Sequence, residues 1–175
     1  EIQSCLLRDI LLQRADGTRY SLEKLVSGKR SILAFLEIGA EPTEHVLNEV
    51  LALEKSAKGN SKGIGCQLLF VLRQEKDLQH KTLQEVLALD AGSEIEILYD
   101  ISGDASDANA APRTASGTLC GWQETAKRMR LAEKLPVLAA VRPDGTGIYG
   151  SCGYHVGSVE LMVRILKEAV RTEAD

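Results

Sequence analysis

No two of the four cysteines, Cys5, Cys66, Cys120 and Cys152, are close enough in sequence to form a Cys-x-x-Cys pair. That excludes zinc knuckles and the common redox motif. Cysteines spaced in this way serve as small buried hydrophobes, or pair as disulfides where the compartment is oxidising, and the sequence leaves their pairing open. Also missing is any apolar run long enough to cross a membrane, and Glu1-Ile2-Gln3-Ser4 shows no charged-then-apolar targeting pattern. Positive charge is not in excess: 21 Lys and Arg face 25 Asp and Glu, a net charge of -4. A phosphate backbone needs a basic face, and the densest basic group, Lys127, Arg128 and Arg130, falls on an expected helix and reads as a solvated face. Nucleic acid and membrane insertion are therefore set aside as partners.

What is present describes an ordinary globular chain. Its 175 residues, 44% apolar and 26% charged, suit one domain with an adequate core and no need of metals or staples. The first residue is not methionine, as expected of a processed protein or of a segment excised from a longer multidomain one.

Ile10 to Gln13, Asp16-Gly17, and Arg19 to Leu22 read as a hairpin, because Asp-Gly accommodates the positive backbone angles of a tight turn. Ser21 is placed to cap a short helical turn closed by Gly28. Ser31 to Ile38 is an apolar run, expected as a strand buried on both faces. Thr43 is expected to open a helix carrying Val46, Leu47, Val50, Leu51 and Leu53. Cys66 to Leu72 reads as a second buried strand, followed by a helix through Leu83, Val86, Leu87 and Leu89, and Glu94 to Tyr99 as a third strand. Residues 102–118 hold no large apolar side chain and read as a mobile loop. A helix over 121–133, strands at 135–141 and 147–151 and an amphipathic helix from Ser158 to Arg171 complete the order. Strands alternating with helices imply parallel pairing.

Three local strings sharpen this order. Asp16-Gly17-x-x-Tyr20-Ser21-Leu22 with Gly28-Lys29 resembles the entry of peroxiredoxins and membrane-anchored thioredoxins. Leu135-Pro136-Val137 resembles the cis-proline loop of that family, and Pro143-Asp144-Gly145 with Gly153 its closing hairpin. The chain thus resembles the thioredoxin-like superfamily of the redoxin type over roughly residues 10 to 170. The resemblance implies an α/β, three-layer fold: a central mixed sheet with an N-terminal hairpin and helices on both faces. It also tilts localisation towards an extracytoplasmic compartment.

In that family the first central strand ends in Cys-x-x-Cys at a helix start, where the dipole lowers the thiol pKa. The matching positions here are Ala40-Glu41-Pro42-Thr43, which keep the proline and lack both sulfurs. A peroxiredoxin register instead matches Glu41-Pro42-Thr43-Glu44 to Cys-Pro-Thr-Glu. It places Ile38 at the activating threonine and shortens the loop, so the first register is preferred. In neither is there a sulfur nucleophile, and without one no mixed disulfide forms. The resemblance therefore implies a non-catalytic domain. Its degenerate groove, Ala40, Glu41, Pro42, Thr43, Leu135 and Pro136, would bind a protein segment or a neighbouring domain of the same chain, with no cofactor.

Other groupings have plainer readings. Glu41, Glu44 and His45 fit favourable charges at a helix start better than a metal site. Cys152 and His155, three apart at a strand end, are expected on opposite faces, which argues against a catalytic pair. Cys120 is expected to pack near Trp122, and His80 to lie on the surface. The alternative is a thiol-disulfide oxidoreductase or peroxidase of atypical chemistry using Cys120 and Cys152.

Overall fold

The computed structural model describes residues 5–14, 16–37, 40–57, 66–72, 84, 95–100 and 121–174. The two apolar runs form its centre. β4 (Ser31–Phe35) and β5 (Gln67–Leu72) are buried at every position and pair in parallel. Strands without a polar face must be covered on both sides, and this requirement sets the layering. β6 (Ile95–Asp100) continues the sheet in parallel beyond β5. On the other side β4 pairs antiparallel with β7 (Val137–Val141), and β7 with β8 (Thr146–Cys152). β1 (Cys5–Leu6) closes that edge, while the hairpin of β2 (Leu11–Gln13) and β3 (Arg19–Ser21) joins the far edge through β6. The full order is β1-β8-β7-β4-β5-β6-β2-β3.

Alternate residues of each central strand feed two separate cores, as the period of two requires. Ile32, Ala34, Leu68, Phe70, Leu138 and Ala140 face α2 (Glu41–Ala57) and α4 (Ser158–Ala174), meeting Val46, Leu47, Val50, Val159, Met162 and Leu166. Leu33, Phe35, Leu69, Val71, Ala139 and Val141 face α1 (Leu22–Val26) and α3 (Gly121–Arg128), with Leu22, Leu25, Val26 and Ala126 buried there.

Both Asp-Gly turns fold as the sequence reading expects. Asp16 accepts the Thr18 N–H at 2.9 Å and Asp144 the Thr146 N–H at 2.9 Å, and Gly17 and Gly145 each take φ near +87°. A Cβ on Gly145 would also lie 2.6 Å from that of Arg8.

Several details depart from the sequence reading. Ser21 occupies the N-cap position of α1 but makes no side-chain cap bond. α2 begins at Glu41 rather than Thr43, because Ala40 already accepts the Glu44 N–H at 3.2 Å. α3 stops at Arg128, short of residue 133. Arg130 turns left-handed (φ 58°), the Leu131 N–H returns to Ala126 O at 2.8 Å and that of Arg130 to Lys127 O at 3.2 Å. These two bonds close the helix in a Schellman arrangement. The expected helix through Leu83 to Leu89, the loop at 102–118, and Cys120 and His80 lie outside the described residues.

Arg128 is not on a solvated face. Its guanidinium takes both oxygens of Asp9, donates to Glu124 at 2.9 Å and to Leu6 O at 3.1 Å, and so ties α3 to the β1–β2 connection. The hydrogen bond from Arg128 holds the Asp9 carboxyl below its ordinary range, against the opposing effect of burial. Arg128→Ala should therefore cost about 1–2 kcal/mol in urea unfolding, at the low end because Asp9 remains part-exposed and screened. A depressed carboxylate contributes fully above its unfolded value and loses that contribution as pH falls through the folded one. The gap between wild type and Arg128→Ala should accordingly narrow in acid. A gap that stays constant as the carboxylates protonate would contradict this assignment.

Candidate functional site

The carboxyl end of β4 and the start of α2 are joined by one buried hydroxyl. Thr43 is 1% exposed, and its Oγ1 accepts the Glu37 N–H at 3.1 Å, while the Ala40 N–H reaches Glu37 O at 3.2 Å. The side chain at 43 therefore points back into the turn. Ala40 and Pro42 are half-buried, and Glu41 is exposed. Across from this turn the Leu135–Pro136 peptide is cis, Pro136 is buried, and its carbonyl accepts the Gly153 N–H at 2.9 Å. Leu135 packs on the α1/α3 side of the sheet.

Beside the start of α2 lies a cleft of about 270 Å³, lined by Glu41, Pro42 and His45 of α2, by Lys134, and by Cys152, Gly153, Tyr154 and His155. Of the six groove residues expected from the sequence, Glu41 and Pro42 line this cleft. Ala40, Thr43, Leu135 and Pro136 are not among its lining residues.

Cys152 and His155 line the same cleft, contrary to the expectation of opposite faces. β8 ends at Cys152, and Gly153 (φ +69°) turns the chain, so strand alternation no longer governs residue 155. No hydrogen bond joins the two among the described residues. Cys152 is a free, half-buried thiol, whereas Cys66 is buried.

The cleft wall is built by a helix edge that the sequence reading missed. Glu41, His45 and Glu49 follow at four-residue spacing and so share one side of α2. Glu41 and His45 pair at 3.4 Å, and the His45 ring stacks on Tyr154 with centroids 5.2 Å apart. The Tyr154 hydroxyl donates to Glu49 at 2.8 Å. Glu49 also accepts the N–H groups of Gly157 (2.9 Å), Val159 (2.6 Å) and Glu160 (3.0 Å), capping α4 from a different helix. Burial, with the bond to Glu49 and its negative charge, raises the Tyr154 pKa, so the phenol stays a neutral donor. The sequence signal for this bridge was the four-residue repeat of Glu and His. Its partner, a helix start more than a hundred residues away, left no mark in the local pattern.

Chemically, the cleft offers a thiol, two imidazoles and an ammonium beside one carboxylate. Among the described residues no three His, Cys, Asp or Glu side chains converge to hold a metal ion.

Strand order, the antiparallel β7–β8 hairpin and helices on both faces define an α/β protein of thioredoxin-like fold. Among solved structures the chain resembles a thiol:disulfide interchange protein DsbE from Chlorobium tepidum (TM-score 0.53, 12% identity, covering 95% of this chain and 99% of that one). It likewise resembles an electron transfer protein from Aquifex aeolicus VF5 (0.57, 13%, 95% and 98%). A third is Arabidopsis thaliana ScoI with copper bound (0.54, 17%, 93% and 96%). At these identities the likeness is one of fold. No family model matches the chain, and no curated protein does.

Proposed function

We propose that this is a non-catalytic thioredoxin-like domain, and that the groove between the β4–α2 turn and the Pro136 turn docks a protein segment or a neighbouring domain of the same chain. The observation that carries it is the β4–α2 turn. Where the resemblance calls for a reactive sulfur pair, Ala40 is half-buried and Thr43 is turned inward to hold the Glu37 amide. Thiol-disulfide exchange needs a thiolate that can reach its substrate. A cleft that includes Glu41 and Pro42 of this turn supports the reading.

One observation favours a second reading. Cys152 sits in that cleft, so an atypical redox enzyme could use it with Cys120, a residue outside the described ones. Dithiothreitol-driven reduction of insulin and of peroxide separates the two. Expected is no turnover above the reductant alone, for wild type and for Cys152→Ser alike. Turnover by wild type that Cys152→Ser abolishes would overturn the non-catalytic reading.

A further inference from the structure

The cleft and the start of α4 share one side chain. Tyr154 lines the cleft, where its ring stacks on that of His45 with centroids 5.2 Å apart. Its hydroxyl donates to Glu49 at 2.8 Å, and the same carboxylate accepts the N–H groups of Gly157, Val159 and Glu160. Glu49 itself is not among the lining residues. The ring therefore belongs to the cleft and the hydroxyl to the helix cap.

The backbone on either side of Tyr154 is pinned. The Gly153 N–H is held by Pro136 O at 2.9 Å, the Ser158 N–H by His155 O at 3.0 Å, and Ser158 Oγ accepts the His155 N–H at 3.1 Å. Pressure on the ring cannot be relieved by shifting this backbone without breaking those bonds. The side chain yields first, and its polar tie is the bond to Glu49.

We infer that the cleft and the cap of α4 form one switch: an occupant that presses on the Tyr154 ring draws its hydroxyl off Glu49 and loosens the first turn of α4. The inference rests on the docking role proposed above and adds what docking does to the rest of the chain. By linkage, a firmer cap disfavours such an occupant to the same degree.

Cys152 also lines the cleft and serves the test only as a handle. A small maleimide on its sulfur is a covalent occupant of known position, confirmed by peptide mass mapping, and Cys152→Ser treated in the same way controls for the other thiols. Hydrogen exchange at Gly157, Val159 and Glu160 reads the cap. Expected is exchange about fivefold faster in the adduct, the worth of one such hydrogen bond. Burial, the bond to Glu49 and its charge raise the Tyr154 pKa, so spectrophotometric titration of the adduct should show it falling back towards the ordinary tyrosine value. Tyr154→Phe keeps the ring and removes the link. It should exchange at the faster rate before labelling and gain nothing from the adduct. Cys152→Phe, which puts bulk in the cleft without labelling, should match the adduct. Unchanged exchange in both the adduct and Cys152→Phe overturns the switch and leaves the docking role standing. Acceleration by the adduct in Tyr154→Phe as large as in wild type overturns the route through the hydroxyl. The docking role fails on a different result, the Cys152-dependent turnover described above.

Discussion

The double variant Ala40→Cys/Thr43→Cys is expected to gain dithiothreitol-driven insulin reduction, where the wild type is expected to show none above the reductant alone. Position 40 stands just before α2 and position 43 within its first turn. Residues three apart on a helix face one another at a spacing a disulfide can span. A thiol at a helix N-terminus titrates below the ordinary cysteine value, and a fall of one unit raises its thiolate fraction by up to about tenfold and the rate of attack by about threefold, since a less basic thiolate is a weaker nucleophile. The substitution has a structural cost. Thr43 Oγ1 accepts the Glu37 N–H, and sulfur is a weaker acceptor, so the variant should lose about 1 kcal/mol of stability. Each single variant should lack the resolving thiol and remain close to background. If the folded double variant stays inert, positions 40 and 43 do not stand where the redox pair belongs, and the register on which the groove is based is wrong.

Glu49→Ala should produce the largest loss of stability at a surface-accessible position, about 2–4 kcal/mol, read as a shift in urea midpoint at unchanged slope. One carboxylate accepts three backbone N–H groups at the start of α4 and the Tyr154 hydroxyl. Bonds to a charged acceptor are each worth more than neutral ones, and the stranded N–H groups regain only part of their hydration. Glu49→Gln should recover part of the loss and Tyr154→Phe should lose only about 1 kcal/mol, because the helix cap survives without the phenol. Alkaline titration should weaken the same bridge. The Tyr154 pKa is raised by burial and by Glu49, so the stability it contributes is present below the ordinary tyrosine value and is lost as pH rises through the folded one. Tyr154→Phe should flatten that alkaline limb. A wild-type alkaline limb matched by Tyr154→Phe would place the titrating group elsewhere.

The two experiments bear on one surface. Tyr154 carries the His45 ring on one side and reports to Glu49 on the other. The cap of α4 and the wall of the cleft are therefore a single structure, and loosening one should disturb the other.

Much of the architecture was readable in the order of residues. The near-continuous apolar runs from Ser31 and from Cys66 read as strands covered on both sides. The two Asp-Gly pairs marked hairpins because they permit a backbone angle most residues avoid. The three-four spacing from Val159 to Leu166 marked the buried side of α4. The end of α3 escaped this reasoning, since Arg130 takes a left-handed angle that its side chain does not advertise. Arg128 was misplaced on a solvated face for a related reason: its partner Asp9 is far away along the chain, and a charge pattern shows only near neighbours.

At the candidate site, Ala40-Glu41-Pro42-Thr43 stood in the sequence without sulfur, which was enough to question the chemistry. Which side chains share the cleft was not legible there. Cys152 and His155 meet in it because Gly153 breaks the strand, and Lys134 and His45 arrive from other elements. What the sequence determined by itself is what short-range physics determines: element type, turn position and the absence of a nucleophile at a helix start. Only the tertiary structure decided the rest, the inward turn of Thr43, the capping of α4 by Glu49 and the gathering of His45, Lys134, Cys152 and His155 around one cleft. Such contacts join residues from distant parts of the chain, and they exist only once burial of the two cores has brought those segments together.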